Sequence, residues 1–309
     1  MNRTDDLTRE TRNVLVDKIL KAYTLEAKDI ADAVELYYDC QKLRIIHANK
    51  ERTEGPPHPD ESTLTAPEEL PLKNWLARYL QIGEQVIAGK LLQWVLSDDS
   101  PQVAKWAYDQ VGIGPIIASG LAAHIDLTKA SNPSSVWKFA GLAPGYDRKI
   151  KGQKLPYNSR LKVLCWKLGE SFVKVSGKDG ATYGKLYAEF KTEEIWRNDS
   201  GAYAVAATKE LAAKNFKSYN ATRKRLEAGK LSDAHLHARA KRRAVKMFLS
   251  HYWLKGRDEL GLPIPGPYAG DIMGHSGMIE PSRAIKKEKP KPEERAMNSK
   301  TTLRFERAN

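Results

Sequence analysis

"QVGIGPIIASGLAAHI", residues 110–125, sets three glycines and a proline into a run that otherwise has the composition of a buried helix. Glycine loses more conformational freedom on ordering than any other residue, so Gly112-Ile113-Gly114-Pro115 implies a backbone shape or a close approach that other residues do not allow. Pro115 suits the first position of a helix, because its φ is already helical and the N–H it lacks has no acceptor there. The stretch therefore predicts a tight turn between two short helices, a helix-hairpin-helix element. Its first glycine takes a positive φ, Ile113 plugs back between the helices, and Gly114 leaves the backbone N–H groups bare. Backed by the positive end of the helix dipole, such donors suit a phosphate and carry no base-reading information.

Working outward, Asp98, Asp99 and Ser100 precede Pro101 and predict a capped helix start, with Val103, Trp106, Ala107 and Val111 on its buried face. Asn132-Pro133 predicts another start, closed by Gly141 in the left-handed conformation. After a loop or small hairpin, "GLAPGYDRKIKGQKLPYN" (141–158), Asn158 caps a helix that gathers Leu161, Leu164, Cys165, Leu168, Phe172 and Val175 on one face. Gly177 and Gly180 end it. Shorter helical segments follow, then two long helices at about 202–229 and 232–259, the second capped by Ser232. Upstream, apolar positions from Val14 to Ile46 and again over 72–97 recur at three- and four-residue intervals, on either side of a Pro-rich stretch, 55–71, that resists helix. No sustained alternation calls for a sheet. The expected fold is mostly α in four segments: a helical N-terminal region (1–97), a central helix-hairpin-helix domain (98–180), a basic helical extension (181–281) and a disordered basic tail (282–309).

Apolar residues make up 41% of the chain and charged residues 29%, the balance of a soluble globular protein. No apolar run approaches the roughly 20 residues that span a bilayer, and the polar start "MNRTDDLTRE" has no signal-peptide core. The expectation is a cytoplasmic or nucleoid-associated protein with no membrane partner. Cys40 and Cys165 are too few for a disulfide framework and read as small buried residues in a reducing compartment.

The net charge of +13 is unevenly distributed. Residues 1–100 carry 13 Lys/Arg against 18 Asp/Glu, residues 101–281 carry 29 against 16, and residues 282–309 carry 9 against 4. Basicity begins where the glycine motif begins. One part of the molecule is thus expected to face a polyanion, while the acidic N-terminal region packs, forms a homo-oligomer or meets another protein. From Arg148 to Lys174, eight cations (Arg148, Lys149, Lys151, Lys154, Arg160, Lys162, Lys167, Lys174) stand against one acid, Glu170. Arg160, Lys167 and Lys174 recur every seventh residue, one stripe with roughly 10 Å between members. A second block, Lys214 to Lys246, sets 11 Lys/Arg against Glu227 and Asp233. Its helix is predicted to turn Leu236, Ala240, Ala244, Met247 and Phe248 inward and Arg239, Arg242, Arg243 and Lys246 outward. Both blocks are expected to extend a phosphate footprint through counterion release. His235, His237, His251 and His275 have no metal-ligand spacing and suit caps, polar networks or phosphate contacts; no metal or other cofactor is expected.

"GIGPIIASGLAAHI", "SSVWKFAGLAP" and "YNSRLKVLCWKLGESF", in this order and spacing, resemble the C-terminal domain of the insertion-sequence 116/110/902 family of transposases, relatives of the Piv-type DNA invertases. Gly112, Gly114, Gly141, Leu142, Pro144, Leu161 and Lys162 stand at the corresponding places, and the likeness covers roughly residues 103–175. It implies a DNA partner and a role in transposition or recombination of a mobile element or virus. Two departures bear on catalysis. Family members open with a strand-rich, ribonuclease-H-like domain whose acids bind metal, whereas residues 1–100 read as helix. Family members also carry a serine shortly after Gly-Leu-x-Pro, where this chain has "GYDRKIKGQK". The resemblance therefore implies the DNA-binding half of a transposase, with no catalytic residue assigned. Two alternatives stand beside it: a recombinase whose nucleophile is Ser159, Tyr146 or Tyr157, and an RNA-binding scaffold.

Overall fold

Three of the helix starts expected from capping residues form in that way. Asn132 Oδ1 accepts from the Ser135 N–H at 2.9 Å, Asn158 Oδ1 from Leu161 N–H at 3.0 Å, and Ser232 Oγ from His235 N–H at 3.3 Å. Each satisfies a donor that the first helical turn cannot bond internally. The structure, a computed structural model, describes residues 24–53 and 72–265 apart from 147, 148, 150, 216, 218 and 219, and in addition positions 14, 18, 20 and 21. The Pro-rich stretch 55–71, the tail 282–309, Arg148 and His275 lie outside the described residues.

Among the described residues there are ten α-helices and no strand, so the chain is mostly α. A short 3-10 turn, Ala27–Asp29, leads into α1 (Ile30–Thr53), which forms a hairpin with α2 (Leu72–Leu96). Then come α3 (Gln102–Asp109), α4 (Pro115–His124), α5 (Pro133–Phe139), α6 (Ser159–Lys174), α7 (Thr182–Asp199), α8 (Ala204–Ala213), α9 (Ala221–Glu227) and α10 (Asp233–Glu259). None of these helices is long and apolar enough to cross a membrane.

The long α10 is the spine, packing against α3, α5, α6 and α7. Its Phe248 stacks on Trp106 of α3 at 5.6 Å between centroids and meets Phe172 of α6 and Tyr183 of α7 edge-on at 5.8 and 5.0 Å. Such pairs are favourable beyond the apolar area they bury. The α1–α2 hairpin covers α4, and α4 is in turn wedged against α6. A side chain at Gly120 would come within 2.8 Å of Leu164 and 3.3 Å of Val34, so glycine lets three helices meet there. One core runs from Ile30 and Val34 through Leu121, Leu164 and Leu168 to Phe248. The segment borders at 97/98 and 180/181 fall in turns, and this core crosses both. Cys165 lies within it, and burial pushes its thiol up to about 12, which keeps it an unreactive packing group; Cys40 is half-buried.

Two expectations change. Pro101 is the cap residue and α3 begins one position later; Ser100 does not cap it. The cap comes from the far end of the chain, where the Glu259 carboxylate accepts the N–H groups of Gln102 at 2.7 Å and Val103 at 2.8 Å. We expect Glu259→Ala to lower unfolding stability by about 1 kcal/mol, with Glu259→Gln in between, in urea denaturation at constant m-value. The long helix expected over 202–229 is two helices, α8 and α9. Asn220 starts the second by accepting the Thr222 N–H at 2.8 Å. The break folds Leu226 and Leu231 back onto Ala207 and Leu236 in a separate small core that one straight helix could not close.

Candidate nucleic-acid interface

The turn between α3 and α4 takes the shape its glycines predict. Gln110 leaves helical geometry with ψ 136°, and its side chain donates to the Trp106 carbonyl at 2.9 Å. Gly112 follows with φ 96°, a conformation L side chains rarely adopt. Its carbonyl accepts a hydrogen bond from Ser171 Oγ near the end of α6, and a side chain added to it would meet Val175 Cγ2 at 2.9 Å. Ile113 is 2% exposed and belongs to the main core. Gly114 then opens α4 at the cap position, with φ −95° and ψ 175°. The first intrahelical donor is Ala118, bonded to the Gly114 carbonyl at 3.1 Å. The earlier N–H groups, of Gly114, Ile116 and Ile117, have no acceptor in the helix, and Pro115 has no N–H to offer. A side chain at Gly114 would meet nothing within 4 Å.

Both glycines therefore sit at the turn, with different constraints. Gly112 is needed by the fold: its φ strains any other residue and Val175 fills the space beside it. Gly112→Ala should cost about 2 kcal/mol, combining left-handed strain with displacement of Val175, and would show as a lower denaturation midpoint. Gly114 has ordinary extended backbone and open space around it.

The first basic block divides in three. Lys174, exposed at the end of α6, neighbours Val175 and so stands at the glycine turn. Lys149, Lys151 and Lys154 are exposed in the loop before α6. The 16 residues of α6 lie between these two groups, about 24 Å at 1.5 Å per residue, or roughly seven base-pair steps of a duplex. Two others, Arg160 and Lys167, meet the N-terminal hairpin, and Lys162 stays beside the loop. Arg160 forms an ion pair with Glu35 of α1. Lys167 is half-buried, its Nζ 3.9 Å from the centroid of Tyr38 and 3.4 Å from Gln41 Oε1. Burial, and then the charge of Lys174, push the Lys167 ammonium below its ordinary range. Lys162 lies over the Tyr157 ring at 4.0 Å.

The second block is largely neutralised by acids outside its own sequence window. Arg239 and Arg243, expected to point outward, grip Glu194 of α7 at 2.6 and 3.1 Å, and Arg243 also holds Glu193 at 2.7 Å. Glu194 is 1% exposed and takes a third hydrogen bond, from the Tyr203 hydroxyl at 2.7 Å. Burial pushes its carboxyl up, but the donors Arg239, Tyr203 and Arg243 with the Arg239 charge outweigh that and hold it below the ordinary value. Lys230 pairs with Asp199 and Lys214 with Glu210, both at 2.8 Å or less. Arg242 is exposed, and Lys246 is half-buried with its Nζ 5.2 Å from the Trp137 ring. The inward face of α10 is as expected at Leu236, Ala240, Ala244 and Phe248, with Met247 partly buried.

The histidines join polar pairs: His235 with Glu210 at 3.0 Å, His237 with Tyr187 at 2.6 Å, and His251 with Tyr183 at 2.8 Å. The three alternative nucleophiles are ordered along the loop and the start of α6. Tyr146 is exposed in the loop, Tyr157 packs over Gly141, and Ser159 is the exposed first residue of α6. Two exposed rings beside this loop, Phe139 and Tyr146, were not picked out by the charge pattern. Aromatic residues interleaved with lysines over 137–157 are the sequence signal that points to them.

Fold and site thus define a mostly helical protein carrying a glycine turn between two short helices, with exposed cations at both ends of the helix behind it. Set against protein-family models, curated proteins and solved structures, the chain matches none.

Proposed function

We propose that the protein binds nucleic acid, DNA first of all, through its phosphates. The Gly112–Gly114 turn is the anchor, and Lys174 with the lysines of the 149–154 loop extends the contact along about 24 Å. The observation that carries this reading is Gly114. The fold makes no demand for glycine there, since its backbone is extended and a side chain would have room. Asn, Asp or Ser would cap α4 better. What glycine provides is uncovered N–H groups at the positive end of a helix, where a phosphate oxygen can reach them. The exposed lysines supply the charge, while Arg160, Lys167, Arg239 and Arg243 serve the packing of the helices around the site. The family resemblance of residues 103–175 makes the DNA of a mobile element or virus the expected substrate, in transposition or recombination, with this chain contributing binding.

The test is the salt dependence of affinity. For a duplex of about 20 base pairs, log K should fall linearly with log salt, with a slope of about −0.9 per phosphate neutralised. Lys149→Ala/Lys151→Ala/Lys154→Ala should reduce the slope by about three, near one per lysine, without changing the fold. Absence of measurable binding to duplex DNA, single-stranded DNA and RNA at about 50 mM salt would overturn the proposal.

A further inference from the structure

At the end of α6 away from the glycine turn, the 141–158 loop is drawn tight at its neck. Asn158 N–H donates to the Phe139 carbonyl at 2.8 Å, and Leu142 N–H donates to the Trp137 carbonyl at 2.9 Å. Gly141 turns with φ 65°, and the Tyr157 ring lies so close over it that a side chain there would come within 2.9 Å of the ring. The neck is thus a fixed support rather than a loose excursion. Two rings that the core does not use stand on it: Phe139 is 44% exposed and Tyr146 40%. One cation touches them and others follow along the loop. Lys138 Nζ is 5.3 Å from the Tyr146 ring centroid, and Lys149, Lys151 and Lys154 are exposed further along the loop.

A surface that only neutralises phosphates needs the lysines and gains nothing from neighbouring apolar rings in water. Rings interleaved with cations match a different ligand, an unpaired base stacked on an aromatic face with its phosphates held beside it. In a duplex the base faces are already covered by their neighbours, so a duplex engages the lysines alone.

We infer that the neck of the 141–158 loop is a stacking site for unpaired bases of single-stranded nucleic acid. Phe139 and Tyr146 supply the rings, and Lys138 with the loop lysines holds the adjoining phosphates. This deepens the phosphate-binding reading, on which it rests for the lysines. DNA and RNA single strands share the required chemistry.

The experiment uses the full chain and fluorescence anisotropy with labelled oligo-dT, oligo-U and duplex of about 20 nucleotides or pairs. Each ring removed should weaken single-strand binding about five-fold or more, so Phe139→Ala/Tyr146→Ala should lose at least roughly tenfold. Its duplex affinity should stay within about two-fold and its salt slope should be unchanged, because no phosphate contact is lost. Phe139→Tyr/Tyr146→Phe should keep wild-type affinity, and Phe139→Leu, which keeps apolar bulk without a π face, should show the loss. Photo-crosslinking with 5-iodouracil strands should attach to Phe139 or Tyr146. Comparing oligo-dT with oligo-U shows which strand is the source. An equal loss on duplex and single strands, or no loss on any of them, would overturn the stacking site and leave phosphate binding standing. So would wild-type protein that binds duplex and neither single strand. Wild-type protein that binds none of the three removes phosphate binding, and the stacking site with it.

Discussion

Glu194→Ala is expected to lower folding stability by about 3 kcal/mol, the largest effect of any single change considered. The carboxylate is almost wholly out of water and holds Arg239, Arg243 and Tyr203 by direct hydrogen bonds. Removing it leaves Arg239 without its counter-charge and Arg243 with the part-exposed Glu193 alone, at the junction of α7, the start of α8 and α10. Breaking one side of a buried pair costs roughly 3–5 kcal/mol; both guanidinium side chains are about one-third exposed, 34% and 33%, which puts this case at the low end. Glu194→Gln keeps the shape and removes the charge, and should fall between. The pH dependence has a definite sign. The folded-state pKa lies below the ordinary carboxylate value, so the contribution is complete above that ordinary value, near pH 4.5, and fades as the pH falls through the folded value. Urea denaturation of wild type and Glu194→Gln between neutral pH and about pH 3 checks this: the gap between them should narrow on acidification. A gap that stays constant or widens would rule out the ion pair as its source.

Gly114→Asp separates folding from binding at the glycine turn. The backbone at 114 already has the extended geometry of a helix cap, and aspartate there can accept the N–H of Ile116 or Ile117. Stability should therefore stay the same or rise by a few tenths of a kcal/mol. The same carboxylate occupies the donors meant for a phosphate oxygen and repels the phosphate itself. Affinity for duplex DNA should fall by about tenfold or more, the scale of one lost charge-assisted hydrogen bond. Gly114→Ala, which fits the backbone and the open space, should bind more nearly like wild type. If Gly114→Asp binds as tightly as wild type, the turn is a packing device and the phosphate anchor lies elsewhere.

The surface chemistry is only partly legible in the sequence because a charge count along a stretch of chain says nothing of which distant acids fold back onto it. Between Lys214 and Lys246 such a count meets 11 cations and two acids. Acids outside the window answer five of the cations: Glu193, Glu194, Asp199 and Glu210 sit just upstream on α7 and α8, and Glu170 of α6 pairs with Lys241. Arg239 and its partner Glu194 are 45 positions apart. The seven-residue stripe on α6 meets the same limit. The spacing of Arg160, Lys167 and Lys174 does place them along one helix, but what lies opposite is Glu35, Tyr38 and Gln41 of α1, more than 120 positions away in the case of Lys167 and Gln41, at 126. Of the three, Lys174 is exposed at the glycine turn, Arg160 is exposed but paired with Glu35, and Lys167 is half-buried.

The sequence by itself determined much of what depends on the backbone of a few consecutive residues: the mostly helical character, the caps at Asn132, Asn158 and Ser232, the apolar face of α6, and the positive φ of Gly112. Those properties follow from local sterics, periodicity and short-range hydrogen bonds. The tertiary structure alone decided which cations remain available to a ligand, that Glu259 caps α3 from the other end of the chain, and that Gly114 faces open space while Gly112 is packed. Each of these is set by which distant side chain arrives alongside, and an ion pair or a steric contact acts over a few ångströms of space whatever the separation along the chain.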